Sequence, residues 1–184
     1  MTTCRVLLLP GWLDSDPAHW QSRWERLHGY RRLTQSDWLW PKRGDWMARL
    51  EEVLLESDVQ AVLIAHSLGC HLVAAWAAHS RITSRVRGAL LVAPPDIERD
   101  DMPPNLHPWR PILRRRLPFA SVAVTSDDDP YGNADRAAQL VREWGAQQVS
   151  LAAAGHINGE SGLGDWPAGH ALMSPWLAVN AATS

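Results

Sequence analysis

Short apolar runs alternate with longer amphipathic stretches along this chain, and this alternation restricts the fold more than any other feature of the sequence. The pattern predicts a parallel sheet covered by helices on both faces. Several runs are apolar without strict alternation, which is typical of strands whose two faces are both buried. The six predicted strands are Arg5–Leu9, Arg32–Ser36, Gln60–Ala65, Val86–Val92, Ser121–Thr125 and Gln147–Leu151.

Helix starts and stops can be placed between these runs. Asp16, Asp45 and Asn133 are the expected N-caps of three helices, and Gly29 and Gly145 are expected to end two of them. A further helix over Leu68–Ala78 is apolar nearly all round, so we expect it to be the most buried. The last helix, from about Trp166, is interrupted by Pro175 and is expected to kink or restart there.

The length of 184 residues suits one domain with a substantial core and is too short for two. Residues 1–184 are therefore predicted to form a single domain. The proline-rich segment 94–118 breaks the alternation, and we expect it to form a short irregular cap.

Composition argues against several classes of partner. The formal net charge is −2, whereas proteins that bind nucleic acid or anionic membranes usually carry a basic excess. The apolar run Val6–Leu9 is too short for a signal peptide, and no stretch is long enough for a membrane helix. Cys4 and Cys70 form neither a metal-ligand spacing nor a disulfide framework. We therefore expect a cytoplasmic protein with no nucleic-acid or membrane partner.

The junction at Ser67 is the most informative local feature. A predicted buried strand runs directly into the apolar helix, and Ser67 stands between two small residues, Ala65 and Gly69. This arrangement is typical of a nucleophile elbow, although Ala65 replaces the usual glycine. The Leu68 backbone N–H would then point towards an oxyanion above Ser67. A serine at this position can also serve simply as a helix N-cap, so the junction alone does not decide its role.

An acid and a base follow in the order that this turn requires. The predicted strand Ser121–Thr125 ends before Asp127, Asp128 and Asp129, and the strand Gln147–Leu151 ends before His156 in a glycine-flanked loop. In folds with this elbow, the acid and the histidine come from loops after later strands. The sequence therefore predicts a triad of Ser67, Asp129 and His156.

The choice among the candidate residues rests on local context. Asp129 is favoured because Pro130 follows and fixes the turn, and Asp128 is the alternative acid. His66 lies within the elbow and is expected to point away from the base position. The remaining histidines fall on predicted helices, at helix ends or in the cap, and are predicted to be structural.

These motifs resemble those of the retinoblastoma-binding protein 9-like family of small serine hydrolases. The likeness covers nearly the whole chain and is weakest across Asp96–Phe119. The motifs that carry it are Ala65–Gly69, Asp128–Pro130, Gly155–Asn158, Leu9–Trp12, His19–Trp24, Gln35–Trp38 and Ser161–Pro167.

The resemblance implies a compact α/β-hydrolase fold with little lid and a triad on Ser67, Asp129 and His156. It also implies that the Trp12 backbone N–H completes an oxyanion hole with that of Leu68. The partner-binding motif of the family's namesake, Leu-x-Cys-x-Glu, lacks its glutamate in Leu68–Leu72, so we do not expect that partner.

The expected activity is hydrolysis of an ester, or of an amide, in a small acyl substrate through an acyl-enzyme, with no cofactor and no metal. A binding or regulatory module that keeps the fold without turnover is one alternative. An acyltransferase that passes the acyl group to another acceptor is a second. The sequence does not specify the oligomeric state.

Five tryptophans stand in or near loops that could surround this site. They are candidates for the lining of a small apolar acyl pocket. These tryptophans are Trp12, Trp38, Trp40, Trp109 and Trp166.

Overall fold

Residues 4–178 of the chain are described by a computed structural model. Six parallel strands form one sheet in the order β2-β1-β3-β4-β5-β6. The strands are β1 Arg5–Leu9, β2 Arg31–Arg32, β3 Ala61–His66, β4 Val86–Val92, β5 Ala120–Ser126 and β6 Gln147–Leu151. The helices are α1 Trp20–His28, α2 Arg43–Leu55, α3 Leu68–His79, α4 Ala134–Trp144, α5 Pro167–Ala171 and α6 Ser174–Leu177. The predicted six-stranded parallel sheet is confirmed.

Both faces of the sheet are buried, because successive strand residues alternate between two apolar clusters. Leu7 and Leu63 belong to the cluster that contains side chains of α2, α3 and α4. Leu8 and Ile64 belong to the opposite cluster, which contains side chains of α1 and α6. Helices therefore cover both faces, and the central strands lack a polar face for this reason.

Helix α3 is the most buried helix, as the sequence predicts. Every residue from Leu68 to Trp76 is buried. The helix lies against β3 on one side and against α2 on another, so no side of its first two turns faces solvent. Among residues 4–178, no helix has the length and apolar character needed to cross a membrane.

The predicted stops and one predicted cap are confirmed. Gly29 and Gly145 end α1 and α4 with positive φ values of 67° and 69°. The Asn133 side chain accepts a hydrogen bond from the Arg136 N–H and caps α4. The C-terminal helix restarts as predicted, with Pro175 in the first turn of α6.

Two predicted helix starts are wrong. Asp16 Oδ1 accepts hydrogen bonds from the Ala18 and His19 N–H groups at 2.7 and 3.1 Å, and this closes a turn before the helix. Helix α1 therefore begins at Trp20, and His19 is its N-cap. Helix α2 begins before Asp45, which lies in its first turn, where a carboxylate still favours the helix N-terminus.

The second strand is shorter than predicted and is offset towards the N-terminus. Only Arg31 and Arg32 pair with β1, instead of the predicted Arg32–Ser36. Beyond Leu33 the chain leaves the sheet, and the Trp38 carbonyl accepts a hydrogen bond from the Leu13 N–H at 3.3 Å. Because β2 pairs with β1 alone, it ends where the chain turns away from β1 towards Leu13.

The segment 94–118 is irregular, as predicted, apart from a 3₁₀ helix over Pro104–Trp109. Its charged contacts fasten it to α4. The Glu98 carboxylate accepts hydrogen bonds from the Ile112 N–H, from Arg114 and from Arg136 of α4. The pKa of Glu98 is lowered mainly by its hydrogen bond to Arg114.

A matched pair of glycines tests how closely α3 packs against the sheet. Gly69 and Gly44 are the second residues of α3 and α2. A Cβ at residue 69 would overlap the Leu9 carbonyl oxygen, whereas a Cβ at residue 44 would meet nothing within 4 Å. We expect Gly69→Ala to lower the free energy of unfolding by about 1–3 kcal/mol. Gly44→Ala should leave it unchanged or raise it by up to about 1 kcal/mol. Urea denaturation measures both, and equal effects would contradict the packing described.

Candidate active site

Ser67 occupies a strained turn between β3 and α3. Its backbone has φ 52° and ψ −120°, a conformation that L-residues rarely adopt. The Ser67 N–H donates to the Val92 carbonyl of β4 at 2.9 Å. Gly69 permits the close approach to β1, and the methyl group of Ala65 packs in the core. The surrounding strands thus hold the turn in place and keep its conformation.

The structure brings the three predicted side chains together. His156 Nε2 lies 2.8 Å from Ser67 Oγ. On the other side of the ring, His156 Nδ1 lies 2.9 Å from Asp129 Oδ2 and 3.0 Å from Asp129 Oδ1. The side chains of His156 and Asp129 are only 9% and 8% exposed. The hydrogen bonds therefore form a continuous chain from hydroxyl to carboxylate, largely shielded from water.

The hydrogen-bond partners fix the tautomer of His156. An ionised carboxylate can only accept, so the proton of a neutral His156 ring is on Nδ1 and points at Asp129. This leaves the Nε2 lone pair free to accept the Ser67 hydroxyl proton. Asp129 Oδ1 also accepts a hydrogen bond from the Tyr131 N–H at 2.9 Å, which orients the carboxylate. The arrangement suits proton transfer from Ser67 to His156.

Asp128, the alternative acid, has a different position. Its Oδ1 accepts hydrogen bonds from Ser126 Oγ and from the Gly155 N–H, both at 2.7 Å. These two hydrogen bonds, first that of Ser126, lower the pKa of Asp128. Asp128 thus contacts the backbone of the loop before His156, whereas Asp129 contacts the ring.

The loop that carries His156 is unusual in its backbone conformation. Ala153, Gly155 and Ile157 have positive φ values of 48°, 55° and 48°. Side chains at the end of β5 bind its N–H groups: Asp127 Oδ1 accepts from Ala153 at 2.8 Å and Ser126 Oγ from Ala154 at 3.0 Å. Hydrogen bonds from β5 therefore compensate for the backbone strain of this loop.

Two further side chains, whose contacts the sequence did not reveal, bind the same loop. His66 Nε2 donates to the His156 carbonyl at 2.9 Å, and Trp20 Nε1 donates to the Ile157 carbonyl at 2.8 Å. His66 points away from the base position, as expected, yet it contacts the residue that occupies that position. His66 ends a buried strand, and a buried polar side chain needs a hydrogen-bond partner. This requirement is the feature of the sequence that could have predicted such a contact.

The loop after β1 lies directly against the elbow. A Cβ at Gly11 would lie 2.8 Å from Ser67 Cβ and 3.3 Å from the Leu68 nitrogen. The next residue, Trp12, lines the same cleft as Ser67 and Leu68. Leu68 is the first residue of α3, so its N–H has no acceptor within the helix. The two residues predicted to bind an oxyanion therefore lie at the same cleft as the serine.

A cleft of about 190 Å³ opens beside Ser67 and His156. One part of its wall is apolar and consists mostly of residues from the cap and from the loop after β1. These apolar residues are Trp12, Leu13, Leu68, Pro95, Met102, Pro103 and Leu106. Besides Ser67 and His156, the polar part consists of Asp14, Asp16, His19, His66, Tyr131 and Asn158.

Of the five tryptophans considered for this pocket, only Trp12 lines it. Trp109 belongs to the cap segment and its side chain is buried in the core, and Trp38 packs edge-on against Trp46. Trp166 packs against Trp20 in the opposite cluster, and Trp40 is 58% exposed. The apolar character of the cleft comes mainly from aliphatic residues and prolines.

The buried histidines near the site are neutral. Burial lowers the pKa of His19 to about 4 and holds that of His66 well below its usual value. His19 Nδ1 accepts a hydrogen bond from the Gln21 N–H at 3.1 Å, so its proton is on Nε2. Within residues 4–178, no group of three or more His, Cys, Asp or Glu side chains is arranged to hold a metal ion.

A parallel sheet with a serine in a strand-to-helix turn, an acid after β5 and a histidine after β6 defines the α/β-hydrolase fold. The family model for serine hydrolases matches residues 6–175. The chain therefore belongs to the serine hydrolase family.

Solved structures agree with this assignment. A YdeN-like hydrolase from Pectobacterium atrosepticum SCRI1043 is 28% identical, with a TM-score of 0.82 over 94% of this chain and 90% of that chain. The ydeN gene product of B. subtilis is 18% identical, with a TM-score of 0.71 over 95% and 98% of the two chains. The esterase domain of a Rhodothermus marinus protein is 17% identical, with a TM-score of 0.67 over 95% and 86%. At their lower identities, the last two show the fold alone.

Among proteins of curated function, no match to this chain is found. The comparisons support a small α/β serine hydrolase and do not confirm the narrower retinoblastoma-binding protein 9-like group.

Buried neutral histidines make the fold sensitive to acid. His71 Nε2 donates to the Pro95 carbonyl at 2.7 Å, and its Nδ1 is buried without a partner. Burial lowers the pKa of His71 from 6.5 to about 4. Between these pH values the unfolded chain binds protons that the folded chain does not, so the free energy of unfolding falls as the pH falls. His71 alone should account for a loss of about 3 kcal/mol between pH 7 and pH 4.

We expect His71→Gln, which keeps an N–H donor but does not titrate, to flatten the pH dependence of stability measured by urea denaturation. His107→Gln, at an exposed position in the cap, is the control and should leave that dependence unchanged. A wild-type stability that stays constant from pH 7 to pH 4.5 would contradict this prediction.

Proposed function

We propose that this protein hydrolyses carboxylic esters through an acyl-enzyme formed on Ser67. The observation that carries the proposal is the contact of His156 with Ser67 Oγ on one side, at 2.8 Å, and with Asp129 on the other, at 2.9 Å. A serine hydroxyl is a weak nucleophile unless an oriented base takes its proton, and this geometry supplies such a base.

In the proposed reaction, Ser67 Oγ attacks the substrate carbonyl carbon while His156 Nε2 takes the hydroxyl proton. Asp129 keeps the ring in the required tautomer and stabilises the imidazolium. His156 then gives the proton to the leaving alcohol, and the acyl group remains on Ser67. Water attacks this ester by the same route and releases the acid. Each of these steps uses protein groups and water alone, without a cofactor.

The backbone N–H groups of Trp12 and Leu68 are proposed to bind the oxyanion of the tetrahedral intermediate. Support comes from the position of Gly11 against Ser67 and from the first N–H of α3 at the elbow. In comparable sites, each such donor contributes about 3–4 kcal/mol to transition-state stabilisation.

The cleft supports a small acyl substrate. Its volume of about 190 Å³ and its apolar wall favour a short apolar acyl group next to Ser67. Esters are the proposed substrate class, and amides of the same acyl group are a harder variant of the same reaction. Within the serine hydrolase family, we propose membership of the retinoblastoma-binding protein 9-like group, on the motifs around Ser67, Asp129 and His156. The free thiols of Cys4 and Cys70 favour a cytoplasmic location.

The first test is labelling with a fluorophosphonate probe, together with turnover of p-nitrophenyl butyrate. We expect the wild-type protein to be labelled, and Ser67→Ala to abolish labelling and lower kcat by at least about 10³-fold. Ser84→Ala, at an exposed position away from the cleft, is the matched control and should match the wild type.

The outcomes of this test separate the alternatives. A folded wild-type protein with neither labelling nor turnover would overturn the proposal and favour a binding module. Labelling with turnover that depends on an added alcohol or amine would instead identify an acyltransferase. Labelling that persists in Ser67→Ala would place the nucleophile elsewhere.

A second test distinguishes the two neighbouring aspartates. Asp129→Asn replaces the acceptor on His156 Nδ1 by an amide that favours the wrong tautomer, and should lower kcat by about 10³–10⁴-fold. Asp128→Asn weakens the hydrogen bond to the Gly155 N–H and should lower kcat much less, with a loss of stability. Steady-state kinetics at pH 7.5 measure both, and a larger loss of kcat for Asp128→Asn would assign the acid to Asp128.

A further inference from the structure

Two consecutive residues of the elbow contact the two ends of His156. Ser67 Oγ meets the ring at Nε2 at 2.8 Å, and His66 Nε2 donates to the backbone carbonyl of the same residue at 2.9 Å. Because His66 and Ser67 are adjacent in sequence, both contacts originate from one rigid point at the end of β3. His156 is thus fixed relative to the nucleophile through its ring and also through its backbone.

The surroundings of His66 hold its ring in one place. The ring packs between the rings of His19 and His156, at centroid distances of 4.5 and 4.9 Å, both edge-on. His66 is 5% exposed, and burial keeps its pKa low, so the ring is neutral and carries one proton. The carbonyl of His156 can only accept, so this proton is on Nε2.

The loop around His156 needs such support. Gly155 and Ile157, on either side of His156, have positive φ values, and the neighbouring hydrogen bonds hold the Gly155 N–H and the Ile157 carbonyl. Among the described residues, His66 is the side chain that binds the backbone of His156 itself. Without His66, the backbone of His156 would be held only through its strained neighbours, while Asp129 alone would orient the ring from the side opposite Ser67.

We propose that His66 is a positioning residue, whose Nε2–H holds the His156 loop so that the ring stays within proton-transfer distance of Ser67. This inference rests on the proposed function of the triad. It assigns His66 no contact with the reacting atoms, and it predicts an effect on kcat and not on KM. A misplacement of about 1 Å at a reacting group can cost on the order of 10²-fold in rate.

The test compares His66→Gln with His66→Met. Gln carries its amide nitrogen near the position of histidine Nε2 and so keeps the donor, whereas Met has a similar length and lacks it. We expect His66→Met to lower kcat for p-nitrophenyl butyrate by about 10–100-fold, with KM within about twofold of wild type. His66→Gln should retain kcat within about threefold. The rate of fluorophosphonate labelling should follow kcat in both variants.

His71 provides the matched control, because it is also a buried histidine whose Nε2–H donates to a backbone carbonyl, that of Pro95. His71→Gln keeps an N–H donor at this position, and His71→Met removes it, without a direct contact with the triad. Because Pro95 also lines the cleft, the comparison is made on kcat alone. We expect both variants to retain the kcat of the wild type, although His71→Met should be less stable to urea.

Each outcome supports or overturns the inference. An unchanged kcat in folded His66→Met would overturn the inference. It would leave the proposed function intact, because that function is tested by the turnover of the wild-type protein. Equal losses in His66→Gln and His66→Met would show that the N–H donor is not the cause. An equal loss in His71→Met would show a general effect of buried histidine removal. A wild-type protein without Ser67-dependent turnover would overturn the proposed function, and the positioning role with it.

Discussion

The second residue of α3 packs directly against the carbonyl oxygens at the end of β1, and the geometry of the site follows from this contact. Only glycine at position 69 lets the helix approach so closely. Two residues before this contact, the chain passes through the tight turn at Ser67, with its positive φ. It also brings Gly11 against Ser67 and Trp12 to the same cleft. The contact between α3 and β1 therefore lies where Ser67 and the predicted oxyanion-binding loop come together.

The remaining parts of the site depend on the parallel order of the sheet. Strands β3, β5 and β6 all end at the same edge, so the loops that carry Ser67, Asp129 and His156 meet there. The loop of His156 adopts three positive φ values, two of them at non-glycine residues that each cost about 1–3 kcal/mol. Hydrogen bonds from Ser126, Asp127 and Asp128 on one side and from His66 and Trp20 on the other offset this cost. Two of the strained residues, Gly155 and Ile157, thus flank the histidine that the proposed chemistry uses.

Elements whose bounds depend on neighbouring residues in the sequence agree with the prediction. Strands β1, β4 and β6 have the predicted bounds, and Asn133, Gly29 and Gly145 act as the predicted cap and stops. Elements that depend on distant contacts differ. Strand β2 is cut short because the chain crosses to meet Leu13, and α1 starts late because Asp16 closes a turn of its own. The length of β2 and the start of α1 each depend on partners that residue types alone do not reveal.

The sheet, the strand-to-helix turn at Ser67 and the order of serine, acid and histidine can be predicted from the sequence, because each is encoded in residue type and spacing along the chain. Three contacts are seen only in the folded protein: that of Asp129 with the His156 ring, that of Trp12 with the cleft and that of His66 with the His156 carbonyl. These contacts join side chains to backbone groups or to loops far apart in sequence. Every residue offers the same backbone carbonyl and N–H, so their partners become identifiable only when the fold brings the segments together.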